Sequence, residues 1–216
     1  LDGRDVNGMT ALHASAARAD VESIEYFLKN GLDVNARDNS LQTPLFKIRT
    51  GDKGYTAVEF LLKRGANPDA RDKRGQTPLF YWVTNESAET TRLLIEHGAS
   101  VNIIDETGNS VVHVIANRRN AALLSFLVSR GAKVNVADAK GFTPLHRVRN
   151  VEMAKILLDA GADANAVNLD GEPPLFWIIQ NDSDPVASAE LVRKAGADLD
   201  IAAKNGYKLL HRAAKV

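Results

Sequence analysis

Two marker series run in step through the 216 residues. The tetrapeptide Thr43-Pro44-Leu45-Phe46 returns as Thr77-Pro78-Leu79-Phe80, with relatives beginning at Thr10, Ser110, Thr143, Pro173 and Lys208; the first letters are spaced by 33, 34, 33, 33, 30 and 35. A glycine follows each of the first six, at Gly31, Gly65, Gly98, Gly131, Gly161 and Gly196, spaced by 34, 33, 33, 30 and 35. Two independent series that change period together define a tandem array. A unit of this size is one supersecondary element that cannot bury its apolar face alone, so the chain must fold as a stack.

Each letter of the repeat has a physical task. Thr at the start of an apolar run can cap a helix by accepting a hydrogen bond from an orphaned N–H, and Pro beside it sits where a helix tolerates proline best. Leu then begins a buried stripe. A second helix is expected in each repeat, as in residues 21–28 and 56–62, where apolar residues recur at helical spacing. The marker glycine ends that helix in the left-handed conformation. An extended stretch and a turn follow, with Gly8, Gly75, Gly108, Gly141, Gly171 and Gly206 in the turns. Asp5, Asp38, Asp72, Asp105 and Asp138 fall in register just before them and read as turn formers whose side chains bond nearby N–H groups.

The pattern D-x-x-G-x-T-P-L-H followed by L-L-x-x-G-A-x-x-N-A resembles the ankyrin repeat, and the match runs from Asp5 to the C-terminus. The resemblance implies an all-α solenoid of stacked antiparallel helix pairs with protruding β-hairpin-like loops and a concave face. One domain over 1–216 is expected, with repeats at about 5–37, 38–71, 72–104, 105–137, 138–167 and 168–202 and a partial one at 203–216. The family usually carries His in the fourth place of the tetrapeptide, where the ring can bond loop backbone. This chain keeps it at His13, His113, His146 and His211, while Phe46, Phe80 and Phe176 replace it by apolar packing. Asn35, Asn102, Asn135 and Asn165 occupy the family's turn-bonding Asn position. From tetrapeptide to marker glycine the count is 22 residues in the second repeat, 18 in the fifth, 23 in the sixth and 21 elsewhere. The differences are expected between the two helices, around residues 50–54, 149–151 and 181–185.

Composition narrows the chemistry. With 27 basic and 27 acidic residues the chain is neutral, which leaves no electrostatic footprint for nucleic acid. No segment approaches the roughly 18 uninterrupted apolar residues of a membrane helix, so a soluble chain without membrane insertion is expected. Cysteine is absent, which excludes disulfides, thiolate metal sites and a cysteine nucleophile. The chain begins at Leu1, as a trimmed fragment or as a mature form that has lost an export signal. An exported or periplasmic bacterial protein is the expected setting, with the cytoplasm as the alternative. The histidines at equivalent places lack the His-x-x-x-His spacing that brings two ligands to one helix face, so no metal is expected. No phosphate loop or nucleophile elbow occurs, and neither a catalytic residue nor a cofactor is expected.

What remains is binding to another protein. The residues just before each tetrapeptide are Met9, Gln42, Gln76, Asn109, Phe142, Glu172 and Tyr207. The repeat itself does not require Met, Phe or Tyr on a protruding turn, and such side chains are enriched among interface anchors. Two places after the Leu of the tetrapeptide the series reads Ala14, Lys47, Tyr81, Val114, Arg147, Trp177 and Arg212, and its charged members argue that this register is partly open. Met9, Lys47, Tyr81, Phe142, Arg147, Trp177 and Tyr207 are therefore the candidate partner-binding residues. Trp82, one residue beyond Tyr81, falls in the register of buried residues, and either tryptophan could be core. Two functional readings follow for a chain expected to be a monomer until it meets its partner. One is a stoichiometric inhibitor or immunity-type blocker that covers an enzyme, favoured because a single stack has nothing to bring together. The other is a scaffold or recruitment segment of a longer effector or regulatory protein.

Overall fold

Proline fixes φ and lacks an N–H, so it suits the first position of a helix, where that N–H has no partner. In the computed structural model, which describes residues 3–204 and 206, Pro44, Pro78, Pro144 and Pro174 each open a helix in this way. The described residues form helix pairs in chain order: α1 (Ala11–Ala17) and α2 (Val21–Lys29), α3 (Pro44–Lys47) and α4 (Asp52–Lys63), α5 (Pro78–Thr84) and α6 (Ala88–Glu96). There follow α7 (Val111–Ala116) and α8 (Ala121–Ser129), the 3-10 turn η1 (Pro144–Arg147) and α9 (Val151–Asp159), then α10 (Pro174–Asn181) and α11 (Pro185–Lys194). No β-sheet forms among them, and the protein is a helical solenoid of paired helices. None of the described helices is long and apolar enough to cross a membrane.

Two compact units divide the chain, Leu1–Glu106 and Thr107–Val216. Within the first, α1, α3 and α5 pack in one row and α2, α4 and α6 in another. Within the second, the rows are α7, η1 and α10, and α8, α9 and α11. The core lies between the rows: Leu12, Leu45, Leu79, Val112, Leu145 and Leu175, the third letters of the tetrapeptides, are all buried. Burying one such side chain contributes about 1.5–3 kcal/mol, which explains why this letter varies least.

Backbone hydrogen bonds join successive turns. Asp38 and Asp138 each accept two N–H groups on Oδ1, from Ser40 and Gln42 and from Lys140 and Phe142 at 2.8–2.9 Å, and so form the turns as expected. Each turn tip then accepts an N–H from the next, as at Asn39 to Asn7 and Leu169 to Lys140, both 2.9 Å. Asn35 and Asn135 clamp neighbouring repeats, Nδ2 donating to the Gly65 and Gly161 carbonyls and Oδ1 accepting from the Asn67 and Asp163 N–H groups.

The structure corrects the placement of the length changes. The expected loop at 50–54 is shorter, because α4 begins at Asp52 and takes in Gly54. A Cβ at Gly54 would lie 2.0 Å from the Arg49 carbonyl oxygen, so only glycine lets that strand of chain lie against the helix. Insertion in the second repeat and deletion in the fifth have the same outcome: the first helix is cut to one turn, four residues against seven in α1 and α5. In both, the next residue, Ile48 or Val148, is buried in extended conformation and ends the helix.

Leu41 occupies the place of the turn glycine in the second repeat, with φ +60° and its side chain exposed. A left-handed L-residue costs roughly 1–2 kcal/mol. Leu41→Gly should therefore stabilise the protein by about 1 kcal/mol in urea unfolding, and a loss of stability would show that the Leu41 side chain has a packing role.

Candidate functional site

The fourth-place histidines set the geometry of the turns that follow them. In His13, His113 and His146 the Nδ1 atom accepts the N–H of Thr10, Ser110 and Thr143 at 3.0–3.1 Å. A backbone N–H can only donate, so Nδ1 carries no proton and the rings are neutral. Nε2–H then donates to the carbonyls of Gln42, Phe142 and Glu172 at 3.0, 2.9 and 3.1 Å. Both ring nitrogens are committed, which removes these residues as metal ligands or bases. Burial pushes the His146 ring down to about 4, against the opposing hydrogen bond to Glu172 and the charge of Asp138. Burial lowers His13 as well.

The hydroxyls of Thr10, Ser110 and Thr143 complete the arrangement by donating to the same Nδ1 at 2.9–3.0 Å. Thr43 and Thr77 differ. Their hydroxyls are buried without a hydrogen-bond partner, so the expected side-chain cap is not made there. Phe46 and Phe80 have no ring nitrogen to accept the hydroxyl proton, as the histidines do elsewhere.

Three of the candidate partner-binding residues come together in the second unit. Phe142 is half-buried, with its ring edge-to-face on Trp177 at 4.9 Å between centroids and on His146 at 5.4 Å. Its carbonyl is the one that His113 holds. Trp177 is half-buried and its Nε1–H donates to Glu172 Oε2 at 3.0 Å. Arg147, one third exposed, pairs with the Asp138 carboxylate. Aromatic pairs of this geometry add about 0.5–1.5 kcal/mol beyond their buried area, so the two rings are held in place before any partner arrives. Phe142, Arg147 and Trp177 line a groove of about 310 Å³ with Asp138, Lys140, Val148 and Arg149.

In the first unit the candidates lie apart. Lys47 is tied down by Asp38 Oδ2 at 2.6 Å and Gln42 Oε1 at 2.7 Å, with its side chain one fifth exposed. Burial alone would raise the Asp38 carboxyl, yet the bonds from Lys47 and from the Gln42 and Ser40 N–H groups together hold it below its ordinary value. Tyr81 is half-buried, edge-to-face on Trp82 at 5.3 Å. Trp82 is the core tryptophan: it is fully buried and its Nε1 has no hydrogen-bond partner. Met9 is half-buried and lines a separate groove in the first unit. Tyr207, with Lys208, His211 and Arg212, lies outside the described residues.

The groove contains residues that register alone did not single out, notably Lys140 and Arg149. A signal for Arg149 exists. Lys47-Ile48-Arg49 in the second repeat recurs as Arg147-Val148-Arg149 in the fifth, in the same place of the two repeats whose first helix is one turn long.

Comparison with known proteins agrees with this architecture. A family model described as ankyrin repeats (3 copies) matches residues 1–72, 48–138 and 98–168. The ankyrin repeat domain of Bcl-3, described as a unique member of the IkappaB protein family, is 24% identical with a TM-score of 0.76, over 96% of this chain and 95% of that one. An ankyrin repeat domain from Acinetobacter baumannii AYE is 25% identical with a TM-score of 0.76, over 87% of this chain and 98% of that one. No curated protein matches the chain. Helix pairs, histidine-tied turns and asparagine clamps are thus the local form of a known repeat, and the chain belongs to the ankyrin-repeat family.

Proposed function

We propose that this protein acts by occupancy, binding a partner protein through its hairpin turns and first helices without a catalytic step. The observation that carries the reading is the Phe142–Trp177 pair, half-exposed at a groove and fixed from behind by Glu172 and by the histidine-bonded Phe142 carbonyl. Pre-organised aromatic side chains lose little entropy on binding and are the residue types that dominate interface energies. Absence of catalysis is supported by the committed ring nitrogens of His13, His113 and His146 and by turn carboxylates that already bond N–H groups. Met9, Lys47 and Tyr81 of the first unit, and Tyr207, stand as further proposed contact residues.

The preferred form of this function is a stoichiometric inhibitor or protective, immunity-type blocker of an enzyme, working as a monomer that covers the catalytic cleft. A scaffold or recruitment role is the second reading. Affinity capture from the native host should retain a defined protein near one-to-one, and the purified chain should turn over no substrate. Trp177→Ala should weaken that complex at least about thirtyfold, about 2 kcal/mol, with the far-UV spectrum unchanged. Glu59→Ala and Lys63→Ala should do little, because the two pair with each other on α4 at 2.8 Å. A complex indifferent to Trp177→Ala would remove the aromatic pair from the interface. An enzyme partner fully active in the saturated complex would exclude blocking and leave scaffolding.

A further inference from the structure

Cutting the first helix to one turn leaves space beside it. In the second unit the groove at η1 has an apolar wall of Phe142, Trp177 and Val148 and a rim that carries Lys140 and Arg149, both exposed. Its lining holds three cations, Lys140, Arg147 and Arg149, against one carboxylate, Asp138, with His146 neutral. Arg147 is paired with Asp138. Arg149 Nε donates to the uncharged Asn117 Oδ1, and among the described residues neither Arg149 nor Lys140 has a carboxylate partner. A chain with 27 basic and 27 acidic residues gives no reason for a local positive excess, so the excess belongs to the groove.

The other one-turn helix is followed by an arginine at the same place. The groove beside α3, in the first unit, is lined by Arg18, Arg49 and Lys53 against Asp52, again three cations to one carboxylate. Its wall is aliphatic and comes from the preceding repeat, with Ala14, Ala17 and Met9, so it shares the arginine but not the aromatic pair of the η1 groove. Arg49 stands where Arg149 stands, one residue after a buried β-branched residue that ends a one-turn helix.

We propose that the η1 groove seats an acidic segment of the partner protein. An apolar side chain of that segment packs on Trp177 and Phe142, and a neighbouring Asp or Glu carboxylate meets Arg149 and Lys140. The inference rests on the interaction reading above and adds the chemistry of the partner. Two unpaired cations suit one or two carboxylates, whereas a nucleic acid backbone needs a longer run of charge. The amides of Asn117 and Asn181, which line the same groove, offer donors and acceptors to a peptide backbone.

The test uses the full chain labelled with nitrogen-15. Its two tryptophans give two indole N–H signals, one from Trp177 bonded to Glu172 and one from the buried Trp82. A short peptide of Asp and Glu around one Phe, added at low salt, should move the Trp177 signal and leave that of Trp82 in place. The same peptide with Asn and Gln should bind at least about tenfold more weakly, as should the acidic peptide with the Arg149→Glu protein. Arg49→Glu, in the other unit, should leave the Trp177 titration unchanged. Lys140→Glu gives the same reading if Arg149→Glu fails to fold. Equal binding of acidic and neutral peptides, no binding of either, or indifference to both charge reversals overturns the proposal. So does a single-stranded oligonucleotide that moves the Trp177 signal at lower concentration than the peptide. Loss of a captured partner with Trp177→Ala but not with Arg149→Glu would sink the acidic segment alone and leave the interaction reading standing.

Discussion

Lowering the pH from 7.5 to 4.5 should remove about 2.5 kcal/mol of stability through His146 alone. The folded ring titrates near 4 and the unfolded ring near 6.5, so between these values the unfolded chain takes up a proton that the folded protein refuses. Its contribution is therefore complete above 6.5 and is lost as the pH falls toward 4. The structural cause is burial of the ring, which penalises its charged form; a charged ring could also no longer accept the Thr143 N–H at Nδ1. His13 acts in the same direction. The chain supplies its own control, since His146→Phe introduces the side chain already present at positions 46, 80 and 176. At pH 7 this variant should lose about 1–2 kcal/mol, because the Thr143 hydroxyl becomes as partnerless as those of Thr43 and Thr77. Its loss of stability on acidification should be correspondingly smaller than that of the natural chain. Urea unfolding at the two pH values measures this, and parallel losses in both proteins would refute the account.

Gly141→Ala should cost at least about 3 kcal/mol, and Gly98→Ala only about 1. Both glycines have positive φ, +80° and +90°. At Gly98, which closes α6, an added Cβ meets nothing within 4 Å, so only the left-handed backbone is penalised. At Gly141 the same Cβ would lie 2.8 Å from the Leu169 N and 2.9 Å from the Asn168 Cα. The neighbouring turn would have to move, and with it the Leu169 N–H bond to the Lys140 carbonyl. Valine at either place adds the reluctance of a β-branched residue to take this conformation and should be worse still. Equal costs for the two alanine variants would mean that the turns are not packed on one another as described.

Much of this protein was legible in its sequence because the repeat is built from local rules. Pro at a helix start, Gly at positive φ, Asp bonding N–H groups two and four residues ahead and His bonding the N–H three residues back each involve groups within four residues, so letters in register specify them. The same locality explains why period alone located Gly141 and Asp138. Side chains whose partners lie farther along the chain were not legible. Lys47 and Arg147 read as open cations, yet each reaches back nine residues to a turn Asp, and that pairing depends on how a one-turn helix places the side chain. Register put Trp82 among the buried positions, where the structure has it, but left open whether Trp177 is core as well; Trp177 is half-buried at a groove with its indole N–H on Glu172. Opposite length changes in the second and fifth repeats read as loop variation. Only packing shows that both shorten the first helix, because burial of Ile48 and Val148 ends it after one turn and opens the groove that Arg49 or Arg149 lines.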